Sequence, residues 1–242
     1  MHRFFIPAEL FKTPEIILPR ETSQQISRVL RLKTGSEVLL LDDCGYEYPA
    51  RLSEVNESHC IASILSKQEA QGEPLTRITM LIGLTQREKF ELILQKCTEI
   101  GVTTYVPMVT TRTLIQKTSD VEDKTPRWKK ILQEAAEQSH RGRIPVLSPA
   151  LKYADALARS KTEDSLKLIL WEDEANHSIK QQLQEFTEKQ VSLIIGPEGG
   201  LSAEEVELAK ASGYIPVSLG KRILRMETAA IHTAGVVLYE LG

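Results

Sequence analysis

The sequence predicts an α/β chain in two parts: a small all-β domain over residues 1–72 and a larger domain over 73–242 built on a parallel sheet. Three observations predict it. Residues 1–72 carry short apolar runs at close spacing with turn signals between them, the pattern of a small β-barrel or open sandwich. KQEAQGEP (67–74) is polar, holds Gly72 and Pro74 and lacks periodicity, which marks a linker. From residue 75 onward, apolar runs alternate with helical stretches, as expected for a parallel sheet with helices on both faces.

In the first part, ETSQQISRVLR (21–31) reads as one short helix, and EVLLLDD (37–43) as a strand followed by a Cys44-Gly45 turn. YEYPARLSEV (46–55) and CIASIL (60–65) continue the strand pattern. In the second part, RITMLIGL (77–84) reads as a buried strand. Thr85 and Glu88 have capping-box spacing before a helix with Phe90, Ile93, Leu94, Cys97 and Ile100 on one face, stopped by Gly101. TYVPMVT (104–110) is the next strand, and Thr125-Pro126 opens another helix with proline at its first position. LKLILW (166–171) and VSLII (191–195) are continuous apolar runs, as in strands covered on both faces. Ser202 and Glu205 form a second capping box, and Gly213 ends that helix. IPVSLG (215–220) is a last strand and METAAIHTAGVVLYEL (226–241) a last helix.

Composition excludes several classes. Hydrophobic residues make up 41% and charged residues 26% of the 242, which supports a packed core and argues against disorder. A formal net charge of −3 means that any nucleic-acid surface is a local patch. Cys44, Cys60 and Cys97 are far apart, form no CxxC pair and have no histidine cluster beside them, so no metal site is expected and a reducing cytoplasm suits them. The amino terminus lacks the apolar core of a signal peptide, and no run approaches the ~20 residues of a membrane span.

The stretch IGPEGGLS (195–202) places a glycine-rich turn between a strand and a helix start, where open α/β sheets bind ligands. The residues are wrong for phosphate: Pro197 lacks an N–H, and Glu198 puts a carboxylate where phosphate would sit. Neither GxxxxGK[ST] nor GxGxxG is present. A cationic or neutral polar ligand fits better, and S-adenosylmethionine has a sulfonium, an ammonium, an adenine and no phosphate. LGKRILRMETAA (219–230) follows another strand end, with Gly220 and the cations Lys221, Arg222 and Arg225. Two such turns can wall one pocket.

These two motifs together resemble the RsmE family, bacterial 16S ribosomal RNA uridine-N3 methyltransferases of the SPOUT superfamily. RVLRLKTG (28–35), EKFELILQKCTEIGV (88–102) and EQSHRGRIPVL (137–147) stand in that family's order, so the resemblance covers nearly the whole chain. It implies a PUA-like RNA-binding β-barrel over 1–72 and a SPOUT domain with a deep trefoil knot over 73–242. Texture alone points to a doubly wound sheet; periodicity cannot see a knot. The resemblance also implies bound S-adenosylmethionine, a homodimer and 16S rRNA as partner; the cysteine pattern points to the cytoplasm, and recognition by shape favours the assembled small subunit over naked RNA, a choice the sequence leaves open.

By resemblance, Leu170, Ile195, Gly196, Glu198, Gly199, Gly200, Leu219, Gly220, Ile223 and Leu224 line the cofactor pocket. Arg225 is the expected catalytic cation, stabilising a uracil anion; its place at a helix N-terminus, where the dipole disfavours it, is a mild sign of function. Arg3, Arg28, Arg31, Gln138, Arg141 and Arg143 are expected to contact RNA, with Arg28 and Arg31 one helical turn apart. Lys89 and Glu99 are left without a role. Two other readings are another rRNA or tRNA position as target, and a non-catalytic RNA-binding module for ribosome assembly; the latter has no need of two intact glycine turns.

Overall fold

The computed structural model describes residues 1–56, 58–160, 165–174, 177–184, 186 and 189–242. It divides into two compact units, Met1–Glu73 with Ala136–Ile144, and Pro74–Ala135 with Pro145–Gly242.

The first unit holds β1 (His2–Phe5), β2 (Glu15–Ile17), α1 (Arg20–Gln24), β3 (Glu37–Leu41), β4 (Tyr46–Val55), β5 (Cys60–Ile64) and β6 (Gln68–Glu69). They form one sheet in the order β1-β3-β4-β5-β2, with β6 against β4. β1 runs parallel to β3; the other pairs are antiparallel. Alternation along β1 and β3 explains their unbroken apolar runs. Phe4, Val38 and Leu40 join Ile16, Ile26 and Leu52 in one core, while Phe5 and Leu41 point the other way and meet Ala136 and Ile144.

Three expectations change here. Gln68–Glu69, read as linker, is a strand. The 21–31 helix is shorter: α1 passes into a π-turn over Gln25–Val29, with Leu30 N donating to Gln25 O at 2.9 Å. Arg31 lies beyond it at φ 53°, so Arg28 and Arg31 are not successive on one helical face. Residues 136–144, placed by sequence in the second domain, belong to the first unit. Gly72 and Gly142 make that return possible. A Cβ on Gly72 would lie 2.1 Å from His140 O, and one on Gly142 2.3 Å from Ala70 Cβ.

The second unit holds β7 (Arg77–Gly83), α2 (Arg87–Ile100), β8 (Thr104–Val109), α3 (Thr125–Gln138, its last residues counted with the first unit), β9 (Val146–Leu147), β10 (Leu151–Lys152) and α4 (Tyr153–Arg159). After these come β11 (Leu166–Leu170), α5 (Ile179–Gln184), β12 (Gln190–Ile195), α6 (Ala203–Ala211), β13 (Ile215–Val217) and α7 (Met226–Leu241). Every strand pair is parallel, in the order β10-β8-β7-β12-β11-β13, with β9 also on β8. The apolar runs of β7, β11 and β12 are the central strands of this sheet.

Local signals place most helix ends. Ser202 Oγ accepts from Glu205 N at 3.2 Å, and Glu205 Oε2 accepts from Ser202 N at 2.9 Å, so the box at the start of α6 forms. Gly101 stops α2 at φ 131°, its N–H donating to Cys97 O at 3.0 Å. The Thr85–Glu88 box does not form. Gln86 is the cap residue of α2 without a side-chain bond, and the Thr85 hydroxyl is used elsewhere.

Candidate active site

Because the strands of the second unit's sheet are parallel, their carboxyl ends share one edge. Register aligns Ile195 with Ile82 and Leu170 with Val217, so the segments after β7, β11, β12 and β13 leave the sheet together. They enclose a cleft of about 950 Å³. Leu170, Ile195, Gly196, Glu198, Gly200, Leu219, Gly220, Ile223, Leu224 and Arg225 all line it. Gly199 is the exception among the predicted set; its carbonyl accepts from Arg112 Nη1 at 3.0 Å.

The turn after β12 is shaped by what it touches. Gly200 N donates to Pro197 O at 2.9 Å, and Gly200 sits at φ 70°, where a side chain is strained. On the sheet side it lies against Gly83, where a Cβ would stand 2.7 Å from Pro197 N. Gly83 is therefore part of the site, a role no local motif signals. The second turn holds Gly220 at φ 107°, and Arg225 caps α7.

Charge in the cleft is balanced. Lys89, Lys221, Arg222 and Arg225 face Glu172, Glu174, Glu198 and Glu227 among its lining residues. That is a poor seat for a polyphosphate and a suitable one for a ligand carrying both signs. Glu198 is held from the β7–α2 junction. Its Oε1 accepts from Thr85 Oγ1 at 2.7 Å and Lys89 Nζ at 2.9 Å. The Lys89 and Thr85 hydrogen bonds, with a smaller contribution from the charge of Arg225, hold its carboxyl below the usual range. Glu227 Oε2 is buried without a hydrogen-bond partner among the described residues. Trp171, Glu172 and His177 also line the cleft and were not singled out from sequence.

The residues expected to meet RNA separate into two groups. Arg28, Arg31, Gln138 and Arg143 are exposed. Arg3 and Arg141 are not: their side chains are 9% and 2% exposed and pair with Glu47 at 2.7 Å and Glu73 at 3.1 Å. A guanidinium committed to a carboxylate in the interior cannot track phosphates, so both hold the first unit together instead. Arg143 also bonds the carbonyl of Cys44. Among the described residues there is no group of His, Cys, Asp and Glu able to hold a metal, and no helix long and apolar enough to cross a membrane.

Residues 71–238 match the family model of an RNA methyltransferase domain, and residues 26–65 that of an RNA methyltransferase PUA domain. A ribosomal RNA small subunit methyltransferase E of a Synechocystis species is 33% identical over 229 residues, 94% of this chain and 74% of that relative. The protein of the same name from Mesomycoplasma hyopneumoniae is 32% identical over 232 residues, 96% of each chain. The crystal structure of a ribosomal RNA small subunit methyltransferase E from Neisseria gonorrhoeae, bound to S-adenosyl methionine, superposes with a TM-score of 0.90 at 28% identity, covering 100% of this chain and 98% of that one.

Proposed function

The chain belongs to the ribosomal RNA small subunit methyltransferase E family, and from that premise we propose that it methylates N3 of a uridine in 16S ribosomal RNA, using S-adenosylmethionine. The observation that carries the reading is the convergence of two glycine turns, after β12 and β13, on one cleft with Arg225 on its wall. The residues present fit the cofactor. Leu219, Leu224 and Ile195 offer apolar wall to an adenine, the balanced charges suit a sulfonium and an amino-acid group, and the unpartnered Glu227 Oε2 suits an ammonium.

S-adenosylmethionine supplies an electrophilic methyl group on its sulfonium. The chain must do the rest. The imide N3–H of uracil has no free lone pair, so its proton must leave before N3 can bond the methyl carbon. Arg225 stabilises the resulting ring anion. Glu198, held ionised by Thr85 and Lys89, is too weak a base to take that proton, which leaves to solvent hydroxide as water. The N3–carbon bond then forms as the carbon–sulfur bond breaks, and the neutral thioether departs. The cleft contributes alignment, which is worth several orders of magnitude in such displacements.

The finer expectations belong to the same proposal. RNA would meet Arg28, Arg31, Gln138 and Arg143. A trefoil knot in the second unit rests on the family match. Closure of the first unit's sheet into a PUA-like barrel rests on the family match. A homodimer is supported by Ile223 and Tyr239, 88% and 86% exposed, and by the helical Gly235, whose missing side chain would meet open space. The chain would act in the cytoplasm on the assembled small subunit.

Mass spectrometry of 16S rRNA nucleosides, with and without the gene, tests the reading. Loss of 3-methyluridine, restored by the wild-type chain, is expected; loss of another modified nucleoside would change the target. Arg225→Ala should abolish transfer and leave S-adenosylmethionine affinity within about threefold. Normal turnover by that variant would remove Arg225 from the mechanism.

A further inference from the structure

Glu198 lies in the cleft, and its side chain is tied to the segment that leaves the neighbouring strand, β7. Thr85 and Lys89, from the β7–α2 junction, donate to the same oxygen, Oε1, at 2.7 and 2.9 Å across separations of 113 and 109 residues. Lys89 also lines the cleft, as does Arg225 at the start of α7. Three segments that leave three different strands thus bring Lys89, Glu198 and Arg225 to one cleft, with Lys89 bonded to Glu198 and Arg225 exposed on the same wall. Thr85 gave up the cap of α2 to take part.

We propose that Thr85 and Lys89 are positioning residues that fix Glu198 as a permanent anion in the cleft, and that this anion draws the Arg225 guanidinium of the same cleft toward the uracil. The inference rests on the methyltransferase reading above. Lys89 shares its charge with Glu198, so the group carries one net positive charge in the resting enzyme. A uracil anion formed in the cleft completes the balance. Without Glu198, two like charges repel across the site and Arg225 loses its fixed neighbour. The depressed carboxyl of Glu198 agrees with a role as anion and not as proton acceptor.

The test is a double-mutant cycle on the full-length protein with 30S subunits as substrate. S-adenosylmethionine affinity is measured by calorimetry and single-turnover rate at saturating cofactor across pH. Thr85→Val and Lys89→Met should each lower the rate at least tenfold, shift the rise of rate with pH upward, and change cofactor affinity less than threefold. Lys89→Arg should restore most of the rate. In a Glu198→Gln background the two substitutions should have no further effect. Equal fold-losses in both backgrounds, or full activity of Lys89→Met, would overturn the proposal. So would a loss confined to cofactor affinity, which would make Glu198 a cofactor ligand only. A wild-type chain that binds no S-adenosylmethionine would instead sink the methyltransferase reading itself.

Discussion

Replacing Glu73 by alanine should open the first unit where residues 136–144 return to it. Glu73 accepts from Arg141 Nε and Nη2 at 3.3 and 3.1 Å and from the amides of Gly142 and Arg143, both at 3.1 Å. Arg141 is 2% exposed and Glu73 22%. Removing one partner of a buried ion pair costs about 3–5 kcal/mol because the other charge stays in the interior. Water reaches Glu73 in part, so the lower end, about 3 kcal/mol, is expected. Glu73→Gln keeps an acceptor for the two amides and should cost roughly half as much. Tryptophan fluorescence cannot read the effect, because Trp128 and Trp171 both lie in the second unit. Hydrogen exchange can. Amides of 136–144 and of β1, where Phe5 N donates to Glu137 Oε1 at 3.0 Å, should exchange about 150-fold faster in Glu73→Ala, since each 1.4 kcal/mol is a factor of ten. Exchange within threefold of wild type would refute the reasoning, and would mean that the apolar contacts of Ala136 and Ile144 hold the segment by themselves.

Two further outcomes follow from the second unit. Glu91 is lowered to about 2, chiefly by hydrogen bonding to Arg127 and then to Arg87, with Arg127 Nε 2.6 Å away. A fall from 4.5 to about 2 is equivalent to about 3.4 kcal/mol. Both arginines are more than half exposed, so screening leaves about 1 kcal/mol. A depressed carboxyl stabilises the fold above its unfolded pKa and loses that contribution as pH falls through the folded one. Urea unfolding followed at Trp128 should show Glu91→Gln about 1 kcal/mol less stable at pH 7, the gap closing between pH 4.5 and 2; a pH-independent gap would exclude the pair. Gly83→Ala should push the 196–200 turn off the sheet, because a Cβ there meets backbone at 2.7 Å. S-adenosylmethionine affinity should fall at least tenfold by calorimetry, and unchanged affinity would show that the turn adapts.

What the sequence discloses divides by range. α6 with its capping box, the stop at Gly101, α7 over 226–241 and the central strands are set by residues within a few positions of one another, and local chemistry marks them. The long-range pairings leave no such mark. β1 is four residues whose partner, β3, lies 36 positions on; β6 hides in a polar stretch because its whole contribution is backbone hydrogen bonding. Arg3 and Arg141 read as surface cations because their carboxylates are 44 and 68 residues away. Thr85 read as a cap for the same reason: its true partner is 113 residues distant.

The candidate site shows the same division, and its chemistry explains why. A pocket that contacts its ligand through backbone needs glycine where the chain turns sharply, and so leaves a sequence trace at 196–200 and at 220. Side-chain groups leave none, since any basic residue can face the cleft or the solvent. Lys221, Arg222 and Arg225 are equivalent as a string of cations. The structure distinguishes Arg225. It caps α7, where the helix dipole opposes a positive charge, and it lines the same cleft as the carboxylate of Glu198. That anion is itself held in place by Thr85 and Lys89 on another strand end, which is why the role proposed for Arg225 is tested most sharply by substituting residues more than 130 positions away from it.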